Sequence, residues 1–77
     1  MHTKEDEIFN ELLARVSQKT KELRHQKGYS SYESFAFDHE LPRAQYWRLE
    51  RGKDNITLRS IAKIIAVHNI TIDQFFK

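Results

Sequence analysis

An all-α fold is the reading of this 77-residue chain that three features support. Apolar residues recur at spacings of three and four, β-branched residues never alternate over a strand length, and two glycines and one proline are too few for the turns of an all-β chain. Five helices in a single domain, residues 1–77, are expected, with a core over about 20–77 and an N-terminal helical extension over about 3–19.

The first helix is predicted from about Thr3 to Lys27, with Ile8, Phe9, Leu12, Leu13, Val16 and Leu23 forming one stripe toward the core. Gly28 stops it, where a left-handed C-terminal cap costs a glycine little. Ser30 and Glu33 have capping-box spacing and open a short second helix with Phe35 and Ala36 inward, ending near His39 or Glu40. Pro42 is expected at the first position of the third helix, since its missing amide hydrogen would be unpaired there in any case, and Gly52 closes it after Arg51. Thr57 caps a fourth helix whose Leu58, Ile61, Ala62, Ile64 and Ile65 give a broad apolar face, and Asn69 stops it. Thr71 and Gln74 repeat the capping-box pattern before Phe75 and Phe76, giving a short fifth helix.

A chain of this size exposes much of its surface, so one core is the most it can build, and with no cysteine that core has neither a disulfide nor a thiolate zinc site. The absence of cysteine, of a long apolar run and of a basic leader points to the cytoplasm and away from membranes. Net charge is +2, but it is segregated: residues 1–11 carry −3, 12–27 carry +4, 28–41 carry −3, 42–53 carry +3 and 54–77 carry +1. Two basic blocks result, Arg15, Lys19, Lys21, Arg24 and Lys27, then Arg43, Arg48, Arg51 and Lys53. Such segregation lets one face attract phosphates on a nearly neutral molecule. In the first block, Lys21, Arg24 and Lys27 are read as solvated side chains more than specific contacts, within reach of phosphates that flank a bound site.

From Ser31 to Arg51 the arithmetic is that of two short helices joined by a three- or four-residue turn, a helix-turn-helix. Small Ala36 lets the two cross closely, and Leu41, Tyr46 and Leu49 turn inward. Arg43, Ala44, Trp47, Arg48 and Arg51 then face out, with Gln45 toward one edge. This surface suits a DNA major groove, because arginine donates two hydrogen bonds to guanine, glutamine does the same to adenine, and Ala44 can meet a thymine methyl. Trp47 has two readings, a groove contact or a packing residue under a neighbouring loop.

Several marks then coincide: Phe35-Ala36, Arg48-Leu49-Glu50-Arg51-Gly52, Asn55-Ile56-Thr57-Leu58, and Ile70-Thr71-Ile72-Asp73-Gln74-Phe75. Together they make the stretch from Leu23 to Phe76 resemble the phage-repressor or Cro-type helix-turn-helix family, also called the xenobiotic-response-element family. The resemblance implies a compact five-helix lambda-repressor-like DNA-binding domain and transcription regulation, repression more than activation. It assigns base contacts to Arg43, Ala44, Trp47 and Arg48, and phosphate contacts to Ser31, Tyr32, Arg51, Lys53 and Asn55. The family has glutamine where this chain has Ser31 and Tyr32. It has a turn glycine where this chain has Glu40, which would hold a left-handed backbone at some strain and set an acid near phosphate.

A module of this kind buries only about 600–1,000 Å² on DNA, so a homodimer reading two half-sites about one helical turn apart is expected. Its surface would use either the exposed ring of the Phe75-Phe76 pair or the amphipathic first helix. A second reading is an antitoxin-like module that grips a protein partner with that helix. Catalysis has little to stand on: Asp38, His39 and Glu40 are adjacent and cannot converge on a helix. His2, His25, His39 and His68 lack the pair spacing of a metal-binding helix, so no metal and no cofactor are expected.

Overall fold

A computed structural model describes residues 3–52 and 56–77, and these form five helices: α1 Lys4–Gln26, α2 Tyr32–Asp38, α3 Arg43–Arg51, α4 Leu58–Val67 and α5 Ile72–Phe75. The all-α expectation holds. Val16 and Leu23 of α1, Phe35 and Ala36 of α2, Tyr46 and Leu49 of α3, Ile64 of α4 and Phe75 of α5 close one core. Phe35 is its centre, with the rings of Tyr46, Tyr29 and His68 at 5.1, 5.2 and 5.3 Å and that of His39 at 4.4 Å.

Local chemistry sets most of the helix ends. Thr3 with Asp6 and Thr71 with Gln74 are reciprocal capping boxes, and Thr57 accepts from the Ser60 amide. At three C-termini the same pair of bonds recurs. Tyr29 N–H donates to Arg24 C=O and Gly28 N–H to His25 C=O; Leu41 donates to Ala36 and Glu40 to Phe37; Ile70 donates to Ile65 and Asn69 to Ala66. This is the Schellman motif, which needs a left-handed residue, and Gly28, Glu40 and Asn69 supply it at φ 88°, 55° and 53°. Glu40 therefore does occupy the left-handed position of the turn before α3.

Four local expectations need correction. The cap of α2 is Ser31, not Ser30, because Tyr29 is committed to the α1 terminus and to Arg24, so the chain enters α2 one residue later. Pro42 is the cap of α3 and not its first residue; its carbonyl accepts from Tyr46 N–H at 2.9 Å. The α1 stripe does not all face the core: Ile8, Phe9 and Leu12 are exposed, because the buried positions of α1 begin only at Leu13. The apolar face of α4 is mostly unburied as well, with Ile64 buried, Ile61 and Ile65 half-buried, and Ala62 and Leu58 exposed. Of the terminal ring pair, Phe75 completes the core and Phe76 is exposed, as expected.

At Gly52 the left-handed backbone, φ 61°, coincides with a close approach, since a Cβ there would lie 2.9 Å from Ser17 Cβ and 3.1 Å from the Leu13 carbonyl oxygen. Gly28 has the same sign of φ but no heavy atom within 4 Å of such a Cβ. Gly52→Ala and Gly28→Ala should share a backbone cost of about 1–2 kcal/mol. Urea unfolding should show Gly52→Ala as clearly the worse, because it alone pushes α1 away from α3; equal losses would mean the approach carries no energy.

Burial lowers the pKa of His68 to about 4, with help from Lys27 and His39, and its Nε2 is buried without a partner. The unfolded histidine titrates near 6.5. The folded state therefore binds fewer protons between those values, so stability is full above about pH 6.5 and falls as pH drops toward 4. Thermal melts from pH 7 to 5 should show this slope, and His68→Leu should flatten it.

Candidate nucleic-acid interface

The geometry of α3 is governed by its inner side. Tyr46 and Leu49 are buried, and so is Glu50, which follows Tyr46 by one helical turn and shares its face. The Glu50 carboxylate meets the buried Arg24 guanidinium of α1 in a two-point bond, Nε to Oε2 at 2.8 Å and Nη2 to Oε1 at 3.0 Å. Arg24 spends a further N–H on the Tyr29 carbonyl at 3.0 Å. Ser17 of α1 donates its hydroxyl to the Glu50 backbone carbonyl. The hydrogen-bonded Glu50 carboxylate raises the Arg24 pKa further, and burial with the Glu50 charge raises that of Tyr46, so Arg24 stays charged and Tyr46 neutral. The reading of Arg24 as a solvated cation is thus corrected, while Lys21 and Lys27 are exposed. Glu50 was read only as part of a motif and not as a buried partner of Arg24; its spacing from Tyr46 was the available signal.

With that side anchored, Arg43, Ala44, Trp47, Arg48 and Arg51 all stand exposed, and Gln45 is half-buried at the edge toward α4, where Arg48, Thr57 and Ser60 share its groove. Trp47 is 39% exposed and carries the Arg51 guanidinium 4.8 Å above its ring. Among the described residues Arg43, Arg48 and Arg51 enter no ion pair, so α3 presents three uncompensated cations and an aromatic surface.

The structure brings the remaining site residues together only in part. Ser31 and Tyr32 are half-buried at the start of α2. The Ser31 hydroxyl accepts from Ser34 N–H at 3.3 Å and donates to Glu33 at 3.1 Å, so its proton is already engaged. Lys53 and Asn55 lie outside the described residues. Asp38, His39 and Glu40 diverge: Asp38 accepts from the Tyr29 hydroxyl at 2.7 Å, the His39 Nε2 is buried, and Glu40 is exposed. Among the described residues no three His, Asp or Glu side chains gather as a metal site, and no helix is long and apolar enough to cross a membrane.

This anchored, outward-cationic third helix is found on a chain that is 39% identical over 68 residues to control protein C.MunI of Mycoplasma sp., a match covering 88% of this chain and 92% of that protein. The chain belongs to the control-protein family. No family model matches it, and no solved structure gives a significant match. The match extends over nearly the full length of both chains, so it takes in the helix-turn-helix and most of what flanks it.

Removing one member of the Arg24–Glu50 pair leaves a buried unpaired charge, a loss of about 3–5 kcal/mol. Glu50→Ala should therefore sharply lower the urea midpoint, whereas the apolar pair Arg24→Met with Glu50→Leu should recover most of the loss. A single-variant loss below 1 kcal/mol by that measurement would show that α3 is held by its apolar contacts alone.

Proposed function

We propose that this control-protein relative is a sequence-specific double-stranded DNA-binding transcription regulator, a repressor acting as a homodimer in the cytoplasm. It lays α3 in the major groove. The observation that carries this reading is the exposed row of Arg43, Arg48 and Arg51 on a helix whose opposite side is fixed by a buried ion pair. A rigid helix with free arginines suits a groove, because base readout needs donors held at set positions before contact.

In this reading Arg43 and Arg48 donate to guanine edges, Gln45 to adenine, Ala44 packs on a thymine methyl and Trp47 lies against the groove wall. Ser31, Tyr32, Arg51, Lys53 and Asn55 take phosphates, Arg51 being the exposed one of the described three. Repression follows from occupancy alone, since a bound dimer excludes polymerase without further machinery. The protein performs no catalysis and takes no cofactor.

Selection of bound fragments from a random DNA pool tests the reading, and two inverted half-sites are the expected outcome. Affinity fixed at a Kd of about 10⁻⁴–10⁻⁶ M for every fragment at physiological salt would sink it. Arg43→Ala or Arg48→Ala should each relax preference at one base position per half-site, at about 1–3 kcal/mol. Lys53→Ala should weaken all sequences alike and lower the salt slope by about 1 per protomer. An equal loss on selected and random DNA for Arg48→Ala would reassign that residue to phosphate.

A further inference from the structure

A cleft of about 570 Å³ opens between α1 and the C-terminal end of α3. Ala14, Gln18, Lys21 and His25 follow one another along α1 at spacings of three and four, so they form a single ridge and one wall of that cleft. All four are exposed. Arg51 and Gly52, at the end of α3, make the facing wall.

The base of the cleft is where the two helices are tied together. Ser17, which also lines it, donates its hydroxyl to the Glu50 carbonyl, and Gly52 comes so near that a Cβ there would lie 2.9 Å from Ser17 Cβ. Beside them Arg24 holds the Glu50 carboxylate by two bonds. The ridge on α1 is therefore fixed relative to the outer side of α3, and Lys21 and His25 keep a set place beside Arg51. The donors Lys21, His25 and Arg51 stand against one acid, Glu22, which lies at the edge and also borders a second cleft with Arg15 and Lys19. Among the described residues, none of Lys21, Glu22, His25 and Arg51 enters an ion pair.

Arg51 belongs to both surfaces. It is one of the outward residues of α3, its guanidinium 4.8 Å above the Trp47 ring, and it is also a wall of the cleft. A DNA strand whose phosphate meets Arg51 while α3 lies in the groove carries its next phosphates to the mouth of the cleft. We propose that Lys21 and His25, with Gln18, bind the DNA backbone just outside each half-site and extend the row of phosphate contacts that Arg51 begins. Arg24 is spent on Glu50, so within the first basic block Lys21 is the cation that the cleft presents. Lysine serves there as a compact charge on a flexible stem, and the imidazole and amide add neutral donors. Contacts of this kind carry no base information, but they set the register and angle at which the recognition helix enters the groove. The inference rests on the DNA reading of α3 and adds α1 to the interface.

Two duplexes carrying the selected site provide the test, one ending at the outermost base pair of each half-site and one extended on both sides by about ten base pairs, a helical turn. Wild type should bind the extended duplex more tightly. Lys21→Ala should lose about five- to tenfold on the extended duplex and lower its salt slope by about 1 per protomer, with the short duplex and the selected sequence unchanged. Replacing the flanking phosphates one at a time by neutral methylphosphonate should weaken wild type at one or two positions, and Lys21→Ala should be indifferent at the same positions. His25→Ala should lose affinity on the extended duplex by a smaller factor. Lys77→Ala removes the same charge from the cleft of Arg15 and Lys19 and should change neither duplex. Circular dichroism should show every variant folded, since the three positions are exposed.

Equal losses for Lys21→Ala on both duplexes, a loss for Lys77→Ala that matches it, or methylphosphonate effects that survive in Lys21→Ala would overturn the proposal. The functional reading fails separately. If no sequence is selected, random duplexes decide: an unchanged salt slope for Lys21→Ala overturns the phosphate site, whereas a slope lowered by about 1 sustains it without base recognition. A selected sequence with an inert Lys21 does the reverse, leaving base recognition by α3 standing and removing α1 from the interface.

Discussion

The Arg24–Glu50 ion pair is the contact on which the rest of the structure turns. It joins the longest helix to the one that faces outward, and it does so with two bonds between planar groups, which fixes rotation of α3 as well as its distance. Such a pair contributes little net stability against an apolar equivalent, because both charges must leave water. Its contribution is orientation. Apolar contacts at Tyr46 and Leu49 would tolerate a slip or roll of α3, but a carboxylate that must meet a buried guanidinium would not. Ser17 bonded to the Glu50 carbonyl and Gly52 against Ser17 extend the same constraint to the helix end.

That constraint explains how nine residues of α3 serve two masters. Its inner side carries one acid, neutralised in place, and its outer side carries three arginines that no acid answers among the described residues. The net charge of the chain is small because acids are concentrated elsewhere, in the first turns of α1 and around α2, so the field is local. Membership in the control-protein family fits a surface of this kind, and the likeness to C.MunI along most of both chains carries the whole module and not the motif alone.

Much of the fold was legible because it is written in local chemistry. Thr57, Thr71 with Gln74, Gly28, Gly52 and Asn69 act within a few residues of themselves, and each marks its helix end where the sequence predicts it. Glu40 was legible by another route, from the resemblance, as the residue standing where the family has a turn glycine. The one-residue shift from Ser30 to Ser31 shows the limit of local reading: both serines satisfy cap spacing, and the choice is made by Tyr29 packing on Phe35 and receiving Arg24. The outward row on α3 was legible from periodicity, although what those side chains touch is not a property of periodicity.

By itself, then, the sequence determined the helices, their caps and which side of α3 is apolar, since these depend on neighbours three and four residues away. Only the tertiary structure decided which apolar stripes find a partner within the chain. Ile8, Phe9, Leu12 and Leu58 have the same pattern as Leu13, Val16 and Ile64, yet remain exposed because the other described helices do not cover them. It also decided the fate of Arg24, a cation in a basic block by sequence and a buried structural ion in fact, because its partner stands 26 residues away and no local rule spans that separation.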